Sequence, residues 1–239
     1  METYYMIAAA LAPVAVLFYY IYRKDRFNQE PTKEMLKAFG LGIVSIFVSL
    51  TISIPLGMFG FYVDEPMTFA GGIATAFFGA AIPEEIAKFL MFWLLVRKSR
   101  CFDEKIDGIV YASVVSLGFA AVENILYLVS NYESWISVGI TRALFSVPGH
   151  FFFGVLMGYY YSLYRFYPAA GRKNKWLVLI APILAHGLFD TVLFSVEVLP
   201  ALSAVLMIVF IILCNSLRKR ASKSIAEHLQ RDGENVVGQ

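Results

Sequence analysis

Charge is scarce in this sequence. Of 239 residues only 16% are Asp, Glu, Lys or Arg, 59% are hydrophobic, and the mean hydropathy is +0.65. A soluble domain carries about 25% charge and about 45–50% apolar residues, so the composition excludes an ordinary soluble protein. Cysteine is scarce too. Cys101 and Cys214 stand alone with no Cys-x-x-Cys spacing, which removes a cysteine metal site and gives no reason to expect a disulfide. There are three histidines, with no His-Glu-x-x-His pattern. No serine sits in a nucleophile-elbow context, and neither cysteine lies near a histidine in sequence. No basic segment precedes the first apolar run, so that run reads as a retained helix and not as a secretory signal. No internal repeat is visible, which argues against an inverted-repeat transporter.

What fills the chain instead is a series of apolar runs, at 4–22, 38–60, 69–96, 106–130, 135–164, 176–196 and 199–217. A transmembrane helix needs about 20 apolar residues. The expected fold is therefore all-α, a polytopic bundle of about seven transmembrane helices. The segments 23–37, 97–105 and 165–175 and the C-terminal tail hold every Lys and Arg except Lys88 and Arg142. The alternate loops carry Asp64, Glu65, Glu133 and Glu197 and no basic residue. The positive-inside rule then places the N-terminus outside and the C-terminus in the cytoplasm. Residues 1–220 read as one transmembrane domain and 221–239 as a polar cytoplasmic tail that frays. Basic residues such as Arg23, Lys24 and Arg26 mark the inner side, and Pro200 marks a tight outer turn. The lipid bilayer is the expected surrounding and nucleic acid is not an expected partner.

The charges inside the runs are the informative residues. Pro83-Glu84-Glu85-Ile86-Ala87-Lys88 places three of them in one apolar run, each costing roughly 2.5–3.5 kcal/mol at the centre of a membrane helix. Such a cost calls for partners. Glu84–Lys88 at i, i+4 and Glu85–Lys88 at i, i+3 can pair on one helix face. Adjacent helical residues point about 100° apart, so Glu84 and Glu85 have different tasks, one at a cavity and one bonded to Lys88 or another helix. Other runs bring Glu123-Asn124, Arg142 with His150, and His186 with Asp190. His186 and Asp190 share a helix face, so Asp190 can fix the imidazole tautomer or address substrate. Arg142 is free to pair with Glu123 or another carboxylate. Pro148-Gly149 predicts a local irregularity beside His150. Tyr159, Tyr160, Tyr161 and Tyr164 read as an interfacial aromatic belt.

Carboxylates and imidazoles in a wet pocket suit hydrolysis. Two arrangements are open. A glutamate can deprotonate water while a histidine or amide stabilises the oxyanion. Alternatively His150, His186 and a glutamate, with Glu123 the candidate, can hold Zn²⁺ and leave a position for water.

The order Glu-Glu-x-x-Lys at 84–88, Gly118-Phe-Ala-Ala-Val-Glu-Asn124, Arg142 to His150, and His186-x-x-x-Asp190 resembles the PrsW family. These are membrane proteases related to the CAAX prenyl endopeptidase and bacteriocin-processing superfamily. The likeness spans roughly residues 70–195. The wider superfamily has Arg after its paired glutamates and Asn after its last histidine. Lys88 and Asp190 stand there instead, which favours the PrsW branch. The resemblance implies Glu84, Glu85, His150 and His186 as catalytic residues, supported by Lys88, Glu123, Asn124, Arg142 and Asp190. It implies an activity, too: site-1 cleavage of a single-pass anti-sigma factor on its extracytoplasmic side, which starts regulated intramembrane proteolysis and frees a stress sigma factor. An ion-coupled transporter and a non-catalytic immunity protein are the alternatives. Counted along ideal helices, the charged groups lie from the midplane outward, so water is expected to enter from outside.

Overall fold

A computed structural model describes residues 2–25, 28–199, 201 and 203–237. Arg26 and Pro200 lie outside the described residues. Described residues are helical or in short turns, with no strand among them. The helices are α1 (Glu2–Lys24), α2 (Thr32–Met58), α3 (Phe69–Ala74), α4 (Ile82–Val96), α5 (Lys105–Ser130), α6 (Trp135–Thr141), α7 (Val147–Phe166), α8 (Pro168–Val198) and α9 (Ser203–Val237). A π turn over Thr75–Ala81 joins α3 to α4, and another over Arg142–Ser146 joins α6 to α7. Among the described residues the helices group into seven segments, in the order of the seven apolar runs. Five segments are long and apolar enough to span a membrane by themselves: Glu2–Lys24, Thr32–Met58, Lys105–Ser130, Tyr132–Phe166 and Asn174–Ser195.

α5 is the axis of the bundle. Its residues from Lys105 to Ala121 are buried without interruption, while the outer helices keep apolar faces such as Phe47, Leu50 and Ile54 exposed to lipid. Lipid tails are as apolar as leucine, so burial against another helix gains little from the hydrophobic effect and close van der Waals packing decides the interfaces. Small residues provide it. A Cβ on Gly158 of α7 would sit 2.0 Å from the Gly108 carbonyl oxygen of α5. A Cβ on Gly42 of α2 would sit 2.1 Å from the Val115 carbonyl oxygen of α5. Aromatic side chains fill the remaining space at the inner end, where Phe92 and Phe102 meet Tyr161 edge-on.

Contacts sort the loops into two ends. At one end Tyr132 donates to Glu2 at 2.6 Å, joining the N-terminus to the 131–134 loop. At the other, Asn28 meets Asp103 and Tyr111 donates to Glu30. These are the ends that the loop charges assign to the outside and the cytoplasm. Residues 32–37, expected in a loop, form the first turns of α2.

The C-terminal tail departs from expectation. It does not fray at 221 but continues α9 to Val237. Arg, Lys, Glu, Ala, Leu and Gln are good helix formers, and the helix has something to pack on. Asp232 accepts from the backbone N–H of Lys105 (3.0 Å) and Ile106 (2.9 Å), capping α5 from a distance. His228 is buried and stacks on Tyr159, which also donates to Glu227 at 2.7 Å. Arg220 donates to Tyr160 at 2.7 Å. The tyrosines are therefore not an aromatic belt. Tyr160 and Tyr161 are buried, Tyr159 receives the tail, and Tyr164 alone of the four is exposed.

Candidate active site

Two helices are broken in the same way to build the site. In segment 69–96 the π turn runs directly into Pro83, and the first turn of α4 then presents Glu84 and Glu85. In the segment that follows α5 the π turn runs into Pro148, and the first turn of α7 presents His150. Proline has no N–H to give to the preceding turn, and a π turn widens the helix to absorb the missing bond. The prolines were visible in sequence as irregularities; the widened turns were not.

Lys88 is the hub. It is 0% exposed, as is Glu85. Its Nζ lies 2.8 Å from Glu85 Oε1, 3.1 Å from Glu84 Oε2 and 3.1 Å from His150 Nδ1. It also sits 4.1 Å from the centre of the Phe119 ring, a cation–π contact. An ammonium has no acceptor, so Nδ1 of His150 accepts and its Nε2–H points to Glu123 Oε2, 2.8 Å away. Glu123 Oε2 is also held by Arg142 Nη2 at 2.6 Å. Arg142 Nε donates to Asn124 Oδ1 at 2.7 Å, and Asn124 donates to the Ala10 carbonyl at 2.8 Å. On the other side His186 Nδ1 lies 2.9 Å from Glu85 Oε1 and its Nε2 lies 3.2 Å from Asp190 Oδ2. The two imidazole centroids are 5.4 Å apart.

All nine residues singled out in the sequence thus join one network drawn from four helical segments. Glu84 and Glu85 divide as their spacing requires. Glu84 faces a cavity, whereas Glu85 is sealed between Lys88 and His186. Three aromatic residues belong to the site without having been noticed: Phe119 under Lys88, Phe153 stacked on His186 at 4.7 Å, and Tyr127 with the Arg142 guanidinium 3.9 Å from its ring centre. An aromatic residue in an apolar run carries no signal of its own, so only the fold could select these three.

The cavity has a volume of about 570 Å³. Glu84, Glu123, His150, His186 and Asp190 line its floor, and Tyr127, Thr141, Ser137 and Asn131 carry it to the outer end.

Glu84, Glu85, His150 and His186 each offer a donor atom within 4.8 Å of the others. Two imidazoles and two carboxylates form a set that suits Zn²⁺. Glu85 Oε2 is buried with no hydrogen-bond partner, and among the described residues the four carboxylates of the site are accompanied by two permanent cations, Lys88 and Arg142. The residues present therefore fit a cation. Glu123, the carboxylate expected beside the histidines, reaches this group through His150 Nε2.

Comparison with known proteins agrees with this geometry. The family model for PrsW family intramembrane metalloprotease matches residues 30–215. The Protease PrsW of Geobacillus kaustophilus is 36% identical over 192 residues, covering 80% of this chain and 81% of the relative. That of Bacillus subtilis is 35% identical over 190 residues, 79% and 82% of the two chains. That of Clostridioides difficile is 35% identical over 211 residues, 85% and 84%. No solved structure gives a significant match. A multi-pass membrane protease is what the helices, the buried acid–base network and these relatives describe together, and the chain belongs to the PrsW family of intramembrane metalloproteases.

Proposed function

We propose that this protease makes the first cut in a single-pass, membrane-anchored anti-sigma factor, close to the outer face of the membrane, and so starts the release of a stress sigma factor. The observation that carries the location is the cavity. It joins Glu84 and the two histidines to Asn131 and Ser137 at the outer end, and water and an extended peptide can reach the site that way. The substrate class follows from the likeness to the PrsW family.

In this reading Glu84 is the general base. It takes a proton from a water as the oxygen attacks the peptide carbonyl carbon, and returns it to the amide nitrogen as the C–N bond breaks. The products are a carboxylate and an amine. A base of this kind contributes about 10²–10⁴-fold. His150 and His186 line the same cavity, and an imidazole N–H that turns from its carboxylate partner to the oxyanion stabilises it, where one donor is worth about 10²–10³-fold. Glu85 orients His186 from Nδ1 and Asp190 orients it from Nε2. Glu123 orients His150, Arg142 fixes Glu123 and is itself held by Asn124, and Lys88 holds both glutamates. A zinc ion would be held by Glu85, His150 and His186, with Glu84 left beside it as the base, and when bound it would supply Lewis-acid polarisation and an acidic water.

Two experiments test the proposal. Moving the scissile segment of a reconstituted substrate along its anchor should leave cleavage only where that segment sits just outside the outer interface. Cleavage confined to the cytoplasmic side would overturn it. Stripping the enzyme with a strong chelator should abolish cleavage and added Zn²⁺ should restore it; cleavage that survives stripping would assign the chemistry to the glutamates and histidines alone.

A further inference from the structure

A second group of carboxylates lies far from the protease site, at the end of the bundle that carries the basic loops. Asp25 follows α1, Glu104 immediately precedes α5, and Asp107 sits in the first turn of α5. An oxygen from each lies within 4.8 Å of the others. Asp25 is 0% and Asp107 1% exposed. In both, one oxygen is anchored by the main chain. Asp25 Oδ2 accepts from the Glu30 N–H at 2.9 Å, and Asp107 Oδ2 accepts from the N–H groups of Asp103 (2.9 Å) and Glu104 (2.6 Å). The remaining oxygens, Asp25 Oδ1 and Asp107 Oδ1, are buried with no partner, and so is Glu104 Oε2. Glu30, also buried, stands alongside with the Tyr111 hydroxyl donating to it. The ammonium of Lys105, next to Glu104 in sequence, is already paired with Asp232 at 3.2 Å. Among the described residues no Lys, Arg or His forms an ion pair with Asp25, Glu30, Glu104 or Asp107.

Buried carboxylates are normally paired or bound to metal. Here each member of a converging trio keeps one oxygen unpaired. We propose that Asp25, Glu104 and Asp107 form a binding site for a hard divalent cation of the Mg²⁺ or Ca²⁺ class, distinct from the protease site and on the cytoplasmic side of the bundle. An all-oxygen donor set selects hard cations over zinc. The cation would tie the α1–α2 connection to the start of α5, the helix on which the bundle is assembled and which carries Glu123. Without one, protons take its place. Burial pushes Asp25 up to about 6 and Glu30 and Glu104 up to about 7, with neighbouring carboxylates adding to the effect.

The test is Mn²⁺ binding to the purified, detergent-solubilised chain, followed by the electron paramagnetic resonance of free Mn²⁺ and by competition with Mg²⁺. The natural chain should show a class of bound Mn²⁺ that Mg²⁺ displaces, and this class should be lost in Asp25→Asn and in Glu104→Gln. Both variants should remain folded in EDTA at least as stably as the natural chain, because each amide keeps an accepting oxygen and removes a carboxyl that has no cation beside it. The natural chain should also melt at a higher temperature in Mg²⁺ than in Na⁺ of equal ionic strength, a readout that needs no variant. A natural chain with no Mg²⁺-displaceable Mn²⁺ and no such rise in melting temperature would overturn the proposal. Variants that bind Mn²⁺ as the natural chain does would overturn it equally.

Discussion

Lys88 holds three partners with one ammonium, and this makes its neighbours unequal. Glu85 is sealed between Lys88 and His186, so Glu85→Gln disturbs the position of a histidine, whereas Glu84→Gln removes the proposed base from the cavity wall. Both variants should lose cleavage by about 10²-fold or more, while the protein is recovered from the membrane at near-normal levels. Loss of the protein itself would mark the pair as structural. Lys88→Met has the opposite profile. It takes the ammonium away from the buried Glu85, and breaking a buried pair from one side costs about 3–5 kcal/mol. Its thermal stability in detergent should fall with its activity. These residues were legible as a set because charge in an apolar run has to be explained. Phe119, Phe153 and Tyr127 were not, because an aromatic side chain in lipid needs no explanation.

At the scale of elements, the α5–α7 and α5–α2 interfaces rest on glycine. Gly158→Val should separate α5 from α7, since even a Cβ would collide with the Gly108 carbonyl. Recovery of folded protein should drop, because that collision is with backbone and cannot be relieved by a rotamer. The docked half of α9 is the other exposed hypothesis. Asp232→Ala removes a cap from α5 and should cost about 0.5–2 kcal/mol, and ending the chain at 220 should cost more by also uncovering Tyr159. Burial holds His228 neutral, down to about 4. The unfolded chain binds its proton near pH 6.5, so between pH 6.5 and 4 the unfolded state carries more protons and stability falls as pH falls. Melting curves over that range should show the loss, and His228→Phe should flatten it. Sequence patterning marked this docking only faintly, since Ile225 and Leu229 are the tail's apolar contacts with the core and its polar partners, a cap and a tyrosine, lie 68 to 127 residues away.

The whole molecule places its chemistry nearer one membrane face. The cavity reaches Asn131 and Ser137 at the end where Glu2 meets Tyr132, and the carboxylate trio lies at the opposite end, where Asn28 meets Asp103. Labelling of single cysteines in a chain whose own two cysteines are replaced by serine should confirm which face is which. Glu65→Cys should react with an impermeant maleimide in intact cells, and Arg100→Cys only after the membrane is opened. Reaction of both from outside would contradict the orientation assigned from the loop charges.

Composition, run length and loop charge were enough to establish a helical membrane protein, its seven segments and the polar residues they carry, because the bilayer penalises every unpaired polar group and so leaves each one conspicuous. The site motifs were legible for the same reason. Which partner each residue takes was decided only in three dimensions. Glu85 meets His186 across 101 positions and Lys88 meets His150 across 62, and those distances depend on glycine contacts and widened turns that no local pattern specifies. The carboxylate trio at Asp25, Glu104 and Asp107 is the clearest case. Asp25 and Glu104 sit in polar connections, where charge is expected, and Asp107 in the first turn of α5, and only the packing of α1 against α5 turns them into buried neighbours with oxygens left unpaired.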